Sequence, residues 1–494
     1  MIYDVAVIGG GICGVSVARE LSRYCLNICI LEKENDVACG TSKANSGIIH
    51  AGYDPEPGTL MARLNIAGAK MFSQWAEELH FDFKRIGSLV IAFNEQDEKI
   101  LQELLKRGKK NGVADLRIIN RDELLVLEPN ISDEAIAALY APDAAIISPY
   151  QATWSIAENA VQNGAKIFTE TEVYAIEKHD ENFCIHTGKG IITARYIINA
   201  AGLYADKISA MVGGKAFSII PRRGEYCLLD NNCRDLVHHV LFQTPNELGK
   251  GILVSPTVDE NILIGPSADT CNDKTFMGTL RENQSLILTT GEKTIPNIPQ
   301  RNIINSFAGA RAIAYDCNGE KLVNDFIIEE DAEVKGFIHI AGISSPGLTA
   351  APAIGVEAVK LLESSGLELK ANKDFIPIFK GIENFKFASL EKKKQLIENN
   401  PLYGRIICRC EMITEAEIVQ AIHSGVGAVD LDGVKRRTRS GMGRCQGGFC
   451  SPRVTEIISR ERNIPMMDVT KRGGCSFILN SKTRSTADNP GGIL

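Results

Sequence analysis

An apolar strand pattern from Ile2 to Ile8 runs directly into Gly9-Gly10-Gly11-Ile12-Cys13-Gly14, and a helical pattern follows from Cys13 to Tyr24. Nothing else in the chain restricts its fold as tightly. A G-x-G-x-x-G run carries physical meaning where it closes a strand and opens a helix. Gly9 then permits the turn, Gly11 lets backbone N–H groups approach a pyrophosphate, and Gly14 lets the helix pack close to the strand. The N-terminus of the helix faces the anion. Glu32 stands 18 residues past Gly14, at the end of the next apolar strand Cys29 to Leu31. An acid there holds an adenosine ribose hydroxyl and disfavours a 2′-phosphate. The reading is a dinucleotide-binding βαβ unit.

The chain has 494 residues, about three structural units at roughly 150 residues each. Up to about residue 365, β-branched runs alternate with helical patterns, the signature of an α/β sheet. Two stretches, 82–140 and 219–309, break that alternation, the second with strand patterns at 251–254 and 261–264. They are expected to form an antiparallel substrate subdomain interleaved with the first domain. Residues 366–400, with Glu391-Lys392-Lys393-Lys394, read as a linker, 401–475 as a small cysteine module, and 476–494 as a flexible tail. Formal net charge is −7, from 54 basic and 61 acidic side chains, and offers no global basic excess for a nucleic-acid backbone. No run reaches the roughly 18 apolar residues of a transmembrane helix. Met1-Ile2-Tyr3-Asp4-Val5 lacks the basic start of a secretory signal, so a cytoplasmic location with reduced thiols is expected.

Four of the 14 cysteines fall in a 43-residue window: Cys408 and Cys410 as C-x-C, then Cys445 and Cys450 as C-x4-C. Core packing does not cluster cysteines in this way. Four thiolates can hold zinc or a [2Fe–2S] cluster, with buried thiols as the remaining reading. Zinc sites favour C-x2–4-C pairs, so the tight C-x-C weighs toward iron and sulfide. Glycines at 441, 443, 447 and 448 leave backbone N–H groups available to the sulfurs. The basic residues Lys435, Arg436, Arg437, Arg439 and Arg444 read either as a solvated loop or as an electropositive rim that raises the cluster potential or docks an acidic acceptor.

Beyond the glycine motif, five segments resemble the glycerol-3-phosphate dehydrogenase and L-2-hydroxyglutarate oxidase branch of the D-amino-acid-oxidase-like flavoproteins. They are Gly40 to Gly52, Asn199 to Asp206, Pro221 to Tyr226, Phe307 to Arg311 and Ala341 to Thr349. The resemblance covers about the first 365 residues and implies a Rossmann-like FAD-binding domain. It also implies that Thr41, Ser42, Ser46 and Gly47 run along the FAD pyrophosphate and flavin. Ala200, Gly202, Gly342, Gly347, Leu348 and Thr349 are implied to line the same cofactor, the last three opening a helix whose backbone donors face the flavin. The cysteine module resembles the bacterioferritin-associated-ferredoxin-like [2Fe–2S] domain, including the capping box at Thr414-Glu415-Ala416-Glu417. A flavoenzyme body joined to such a module is the organisation of the anaerobic glycerol-3-phosphate dehydrogenase catalytic subunit, whose electrons leave through partner subunits. The resemblance thus implies a dehydrogenase with an electron-acceptor protein as partner, and membrane association only through partners.

His50 lies in the loop that the resemblance sets beside the flavin, either as a base for an alcohol proton or as a hydrogen-bonded structural residue. Arg311 stands where relatives bind the anionic end of the substrate, with a structural ion pair as the alternative. Arg223 is a weaker second clamp, and Tyr226 lines the cavity or is an ordinary strand tyrosine. The expected substrate is a small anionic alcohol, foremost sn-glycerol 3-phosphate. The lysine that aerobic glycerol-3-phosphate dehydrogenases carry in their last flavin segment is replaced here by Ser344 to Thr349, and Asn45 to Gly52 is closer to the L-2-hydroxyglutarate branch. A 2-hydroxyacid, an amine or amino acid, and a purely electron-transferring role stay open as rivals.

Overall fold

A computed structural model describes residues 2–245 and 251–481, divided into two compact units between Gly381 and Ile382. The expected tail falls outside the described residues from 482 onward. The first unit is built on two large sheets. In one, five parallel strands lie in the order Phe337–Ala341, Gly190–Asn199, Ile2–Ile8, Ile28–Leu31, Lys166–Phe168. Strand Ile2–Ile8 is buried along most of its length because it sits mid-sheet with cover on both faces, which is why its apolar run is nearly continuous. Helix Ile12–Leu21 follows it and ends earlier than the sequence pattern suggests, since Tyr24 instead bridges to Ala371. Helix Gly347–Ser364 crosses the first helix closely, at a point where a Cβ on Gly355 would stand 2.8 Å from the Ser16 carbonyl oxygen.

The second sheet has nine strands drawn from 88–141 and 218–315. Its neighbours are antiparallel apart from Val240–Gln243, which runs parallel to Ser88–Ala92. The core behind it holds Leu89, Ile91, Leu241, Val254, Ile264 and Ile287. Its longest pairing joins Ser218–Leu229 to Ile303–Tyr315 and carries the site residues described below.

Residues 366–400 are divided between the two units. Ile376, Pro377 and Ile378 lie along helix Pro149–Gln162, where their carbonyls accept hydrogen bonds from Asn159, Gln162 and Asn163. In the second unit Leu390–Asn399 is a helix capped by Ser389, and its Leu396 packs on Phe385 and Tyr403. That unit continues with a short hairpin, Ile406–Cys408 and Ile413–Thr414, and three helices, Glu415–His423, Leu431–Thr438 and Ser451–Arg462. They enclose an apolar core of Ile418, Val434, Val454 and Ile458. The Thr414 hydroxyl accepts from the Glu417 N–H while the Glu417 carboxylate takes the Thr414 N–H, completing the capping box. Among the described residues no helix is long and apolar enough to cross a membrane.

Candidate active site

Helix Ile12–Leu21 starts at Gly11, which has no side chain of its own to cap it. The Ser42 hydroxyl, from the loop after the second strand, accepts the Ile12 N–H at 2.8 Å. Gly9 takes a φ of +113°, and a Cβ there would overlap the Ala200 carbonyl. A Cβ on Gly14 would overlap the Gly9 oxygen. The turn can be made only by glycine, and the space it keeps is a cradle for a phosphate group. Glu32, 8% exposed, accepts from the N–H groups of Gly10 at 2.6 Å and Glu34 at 2.9 Å. Burial raises its carboxyl pKa, and the two backbone donors oppose that shift. A helix N-terminus opened by Gly11, a glycine cradle and a carboxylate beside it fit an adenine dinucleotide.

The other residues expected at the cofactor converge from distant parts of the chain. The Thr41 hydroxyl donates to the Ala310 carbonyl of the long sheet pair. Asn45 ties the loop to itself, donating to the carbonyls of Thr41 and Ser42 and accepting the Gly47 N–H. Gly309 lets the sheet approach this loop, since a Cβ there would overlap the Ala44 carbonyl. Gly202 and Gly342 take φ of +57° and +64° at the ends of the parallel strands that precede them. Helix Gly347–Ser364 opens at Pro346 without a side-chain cap or an acid in its first turn. Leu348 is half-buried, and Thr349, fully buried, accepts the His50 N–H at 3.0 Å and donates to the Ile48 carbonyl.

His50 follows strand Ile48–Ile49. Its backbone is held on both sides, by Thr349 and by Asn65, whose amide donates to the His50 carbonyl at 2.9 Å. Its ring stacks on Phe242, with centroids 5.9 Å apart. Asn65 and Phe242 escaped the sequence reading. Asn65 shares the buried face of helix Leu60–Leu79 with Leu64, Gly68 and Phe72, and a polar side chain on that apolar stripe was the available signal. Phe242 sits in a strand of ordinary apolar pattern and gave none.

On the long sheet pair, Arg311 is half-buried, and burial lowers its pKa while the neighbouring Tyr226 phenol acts against that shift. Tyr226 is buried, stacks on Phe307 at 5.0 Å, and has its pKa raised by burial, offset by Arg311 and the Ser46 side chain. These groups gather on the face turned to the loop at 41–47. Arg223 does not join them, which corrects the expectation of a second clamp there. Successive side chains of a strand point to opposite faces. Arg223, 3% exposed, points away and pairs with the fully buried Glu225 at 2.8 Å. It also donates to the Gly278 carbonyl and lies over the Phe276 ring.

In the second unit the four cysteine sulfurs form a chain of contacts. Cys408 lies 3.8 Å from Cys410 and Cys410 lies 3.9 Å from Cys445, while Cys450 sits against Cys408. That contact draws the Cys450 thiol down to about 7 and pushes Cys408 up. Backbone N–H groups of Phe449 and Gly447 bond the Cys445 sulfur and lower its pKa. Four convergent thiols with backbone donors fit a [2Fe–2S] cluster. The basic run is divided: Arg444 is exposed and Lys435 and Arg439 are half-buried, whereas Arg436 and Arg437 belong neither to a solvated loop nor to a rim. Helix Leu431–Thr438 turns Arg436 and Arg437 inward, to 5% and 4% exposure. Arg437 donates to the Val426 and Gly433 carbonyls, and Arg439 pairs with Glu411 at 3.0 Å.

Residues 4–361 match the family of FAD dependent oxidoreductases, and residues 406–460 match the BFD-like [2Fe-2S] binding domain. The chain is 48% identical to a glycerol 3-phosphate dehydrogenase of Caloramator mitchellensis, over 98% of this chain and 99% of that one. It is 35% identical to a glycerol 3-phosphate oxidase of Mycoplasma genitalium, over 76% of this chain and 97% of the oxidase. Among solved structures it is similar to L-alpha-glycerophosphate oxidase from Mycoplasma pneumoniae with FAD bound. The TM-score is 0.73 and the identity 34%, covering 77% of this chain and 98% of the other.

Proposed function

We propose, on the premise that the chain belongs to the FAD dependent oxidoreductase family, that it oxidises sn-glycerol 3-phosphate to dihydroxyacetone phosphate and delivers the electrons to a partner protein or a quinone-linked acceptor. The observation that carries this reading is Arg311, a half-buried guanidinium with no ion pair among the described residues, on the sheet face turned to the Thr41–Gly47 loop. A dehydrogenase is favoured over an oxidase because the glycerol 3-phosphate dehydrogenase relative aligns through both units, whereas the oxidase aligns with the body alone. When bound, FAD supplies the two-electron acceptor and the [2Fe–2S] cluster the one-electron carrier.

The chain's own residues bind, orient and move a proton. Gly9, Gly11, Gly14, Glu32, Thr41, Ser42, Ser46, Gly47, Ala200, Gly202, Gly342, Gly347, Leu348 and Thr349 hold the dinucleotide, and Cys408, Cys410, Cys445 and Cys450 hold the cluster. Arg311 binds the phosphate end of the substrate and fixes the carbinol carbon in a reactive orientation. An imidazole nitrogen of His50 takes the hydroxyl proton as the carbinol C–H bond breaks and the C=O bond forms. Its backbone clamp and the Phe242 stack hold the ring in place for that transfer.

A panel of glycerol 3-phosphate, L-2-hydroxyglutarate and amino acids, added without air while flavin absorbance is followed, tests the proposal. Bleaching by glycerol 3-phosphate is expected. Bleaching by an amino acid alone would remove the alcohol reading, and no bleaching by any small molecule would leave an electron-transfer subunit.

A further inference from the structure

The strands Ser218–Leu229 and Ile303–Tyr315 present three opposed pairs on one face: Tyr226 with Phe307, Gly224 with Gly309, and Arg222 with Arg311. Directly opposed residues of an antiparallel ladder share a face, with Cβ atoms roughly 5 Å apart, and like charges so placed repel. Arg222 and Arg311 are both half-buried, and neither has an ion pair or side-chain hydrogen bond among the described residues. Arg222 contributes to the lowering of the Arg311 pKa, behind burial. The contrast is one residue away. Arg223, on the far face, has Glu225 at 2.8 Å and Asp269 at 3.6 Å. The carboxylates of this sheet, Glu225 and Asp269, thus stand with Arg223, and among the described residues none pairs with Arg222 or Arg311.

We infer that Arg222 and Arg311 together bind the phosphate of the substrate as a dianion, and that Arg222 is the residue that selects a phosphate monoester over singly charged anions. This rests on the reading that Arg311 faces the substrate. A phosphate monoester carries a charge of about −1.5 to −2 near neutral pH and three acceptor oxygens. Two guanidinium forks can each take an edge of that group. A carboxylate has one edge and one charge, and it satisfies a single fork. The pair thus supplies the cationic recognition that the Ser344 to Thr349 segment, without a lysine, does not.

The test uses the full-length holoenzyme as wild type, Arg222→Gln, Arg222→Lys and Arg311→Gln. Flavin bleaching is measured without air with sn-glycerol 3-phosphate and with its methyl phosphodiester, which has one charge fewer. Binding is measured separately as the change in flavin absorption on adding inorganic phosphate. Arg222→Gln is expected to raise KM for the monoester by about tenfold or more with little change in kcat, the size of one lost charge-assisted hydrogen bond. Its KM for the diester is expected to shift far less, and its response to inorganic phosphate to weaken in parallel. Arg222→Lys should recover part of both effects, which separates loss of charge from damage to the fold. Equal KM shifts for the two substrates, or no shift while Arg311→Gln shows one, would overturn the role of Arg222 and leave the proposed activity standing. If wild type were not bleached by glycerol 3-phosphate, the activity would fall. Loss of phosphate binding in Arg222→Gln would then still support the paired anion site, and unchanged phosphate binding would overturn it.

Discussion

The two cofactor sites of this chain are assembled in opposite ways. The sulfurs of Cys408, Cys410, Cys445 and Cys450 come from one 43-residue stretch, and two pairs of neighbours in the chain supply all of them. The site in the body draws on segments from Gly9 to Thr349, joined by contacts such as Thr41 to Ala310 and His50 to Thr349. A local site is specified by spacing and needs only a small fold to close it. A dispersed site is specified by register and packing, so a single strand can give one neighbour to the ligand and the next to the core. Arg222 and Arg223 are the proposed case: Arg223 pairs with Glu225, while Arg222 lies on the other face, opposite Arg311.

The sharpest way to break this comparison is to empty one site and ask whether the other persists. In Cys408→Ser the bound iron and its visible absorption are expected to be lost, while FAD content and bleaching by substrate stay at wild-type values; iron analysis and anaerobic spectroscopy read both. Loss of FAD in that variant would mean that the two sites are not independent. A smaller effect is expected from Arg223→Gln, which leaves the fully buried Glu225 without its cation. Breaking a buried pair costs roughly 3–5 kcal/mol, and the loss should register in the thermal unfolding of the body rather than in KM for glycerol 3-phosphate. A tenfold KM change without loss of stability would return Arg223 to the substrate. The smallest effect is assigned to Thr414→Ala, which removes one half of the capping box and should cost about 1 kcal/mol. It is expected to lower the temperature of iron release and leave that of flavin release unchanged.

Much of the architecture was legible in the residues. The glycine turn with its strand, helix and acid is local: a Cβ on Gly9 or Gly14 would overlap backbone oxygen, and Glu32 stands beside the turn on the Gly10 N–H. The interruption of the α/β alternation at 82–140 and 219–309 corresponds to strands of the second sheet, because a change of hydrophobic period registers a change of layer. The segment 366–400 was less legible: its charge and lack of period read as a linker, yet backbone carbonyls at 376–378 are satisfied by side chains of a distant helix. The basic run misled for a related reason. Charge in sequence suggests solvent, but Arg437 finds the carbonyls of Val426 and Gly433 and is buried with them.

What the chain determined by itself were the features carried by neighbours: a phosphate cradle, where only glycine can make the turn, and a set of four thiols at a spacing suited to iron and sulfide. Tertiary structure alone decided which arginine of the pair at 222 and 223 meets a counter-charge, that Asn65 and Thr349 fix His50, and that Phe242 stacks on it. The physical reason is that side chains alternate across a strand and that partners in a sheet are chosen by register. One residue of register exchanges the buried face for the binding face, and it leaves no mark on composition or local pattern.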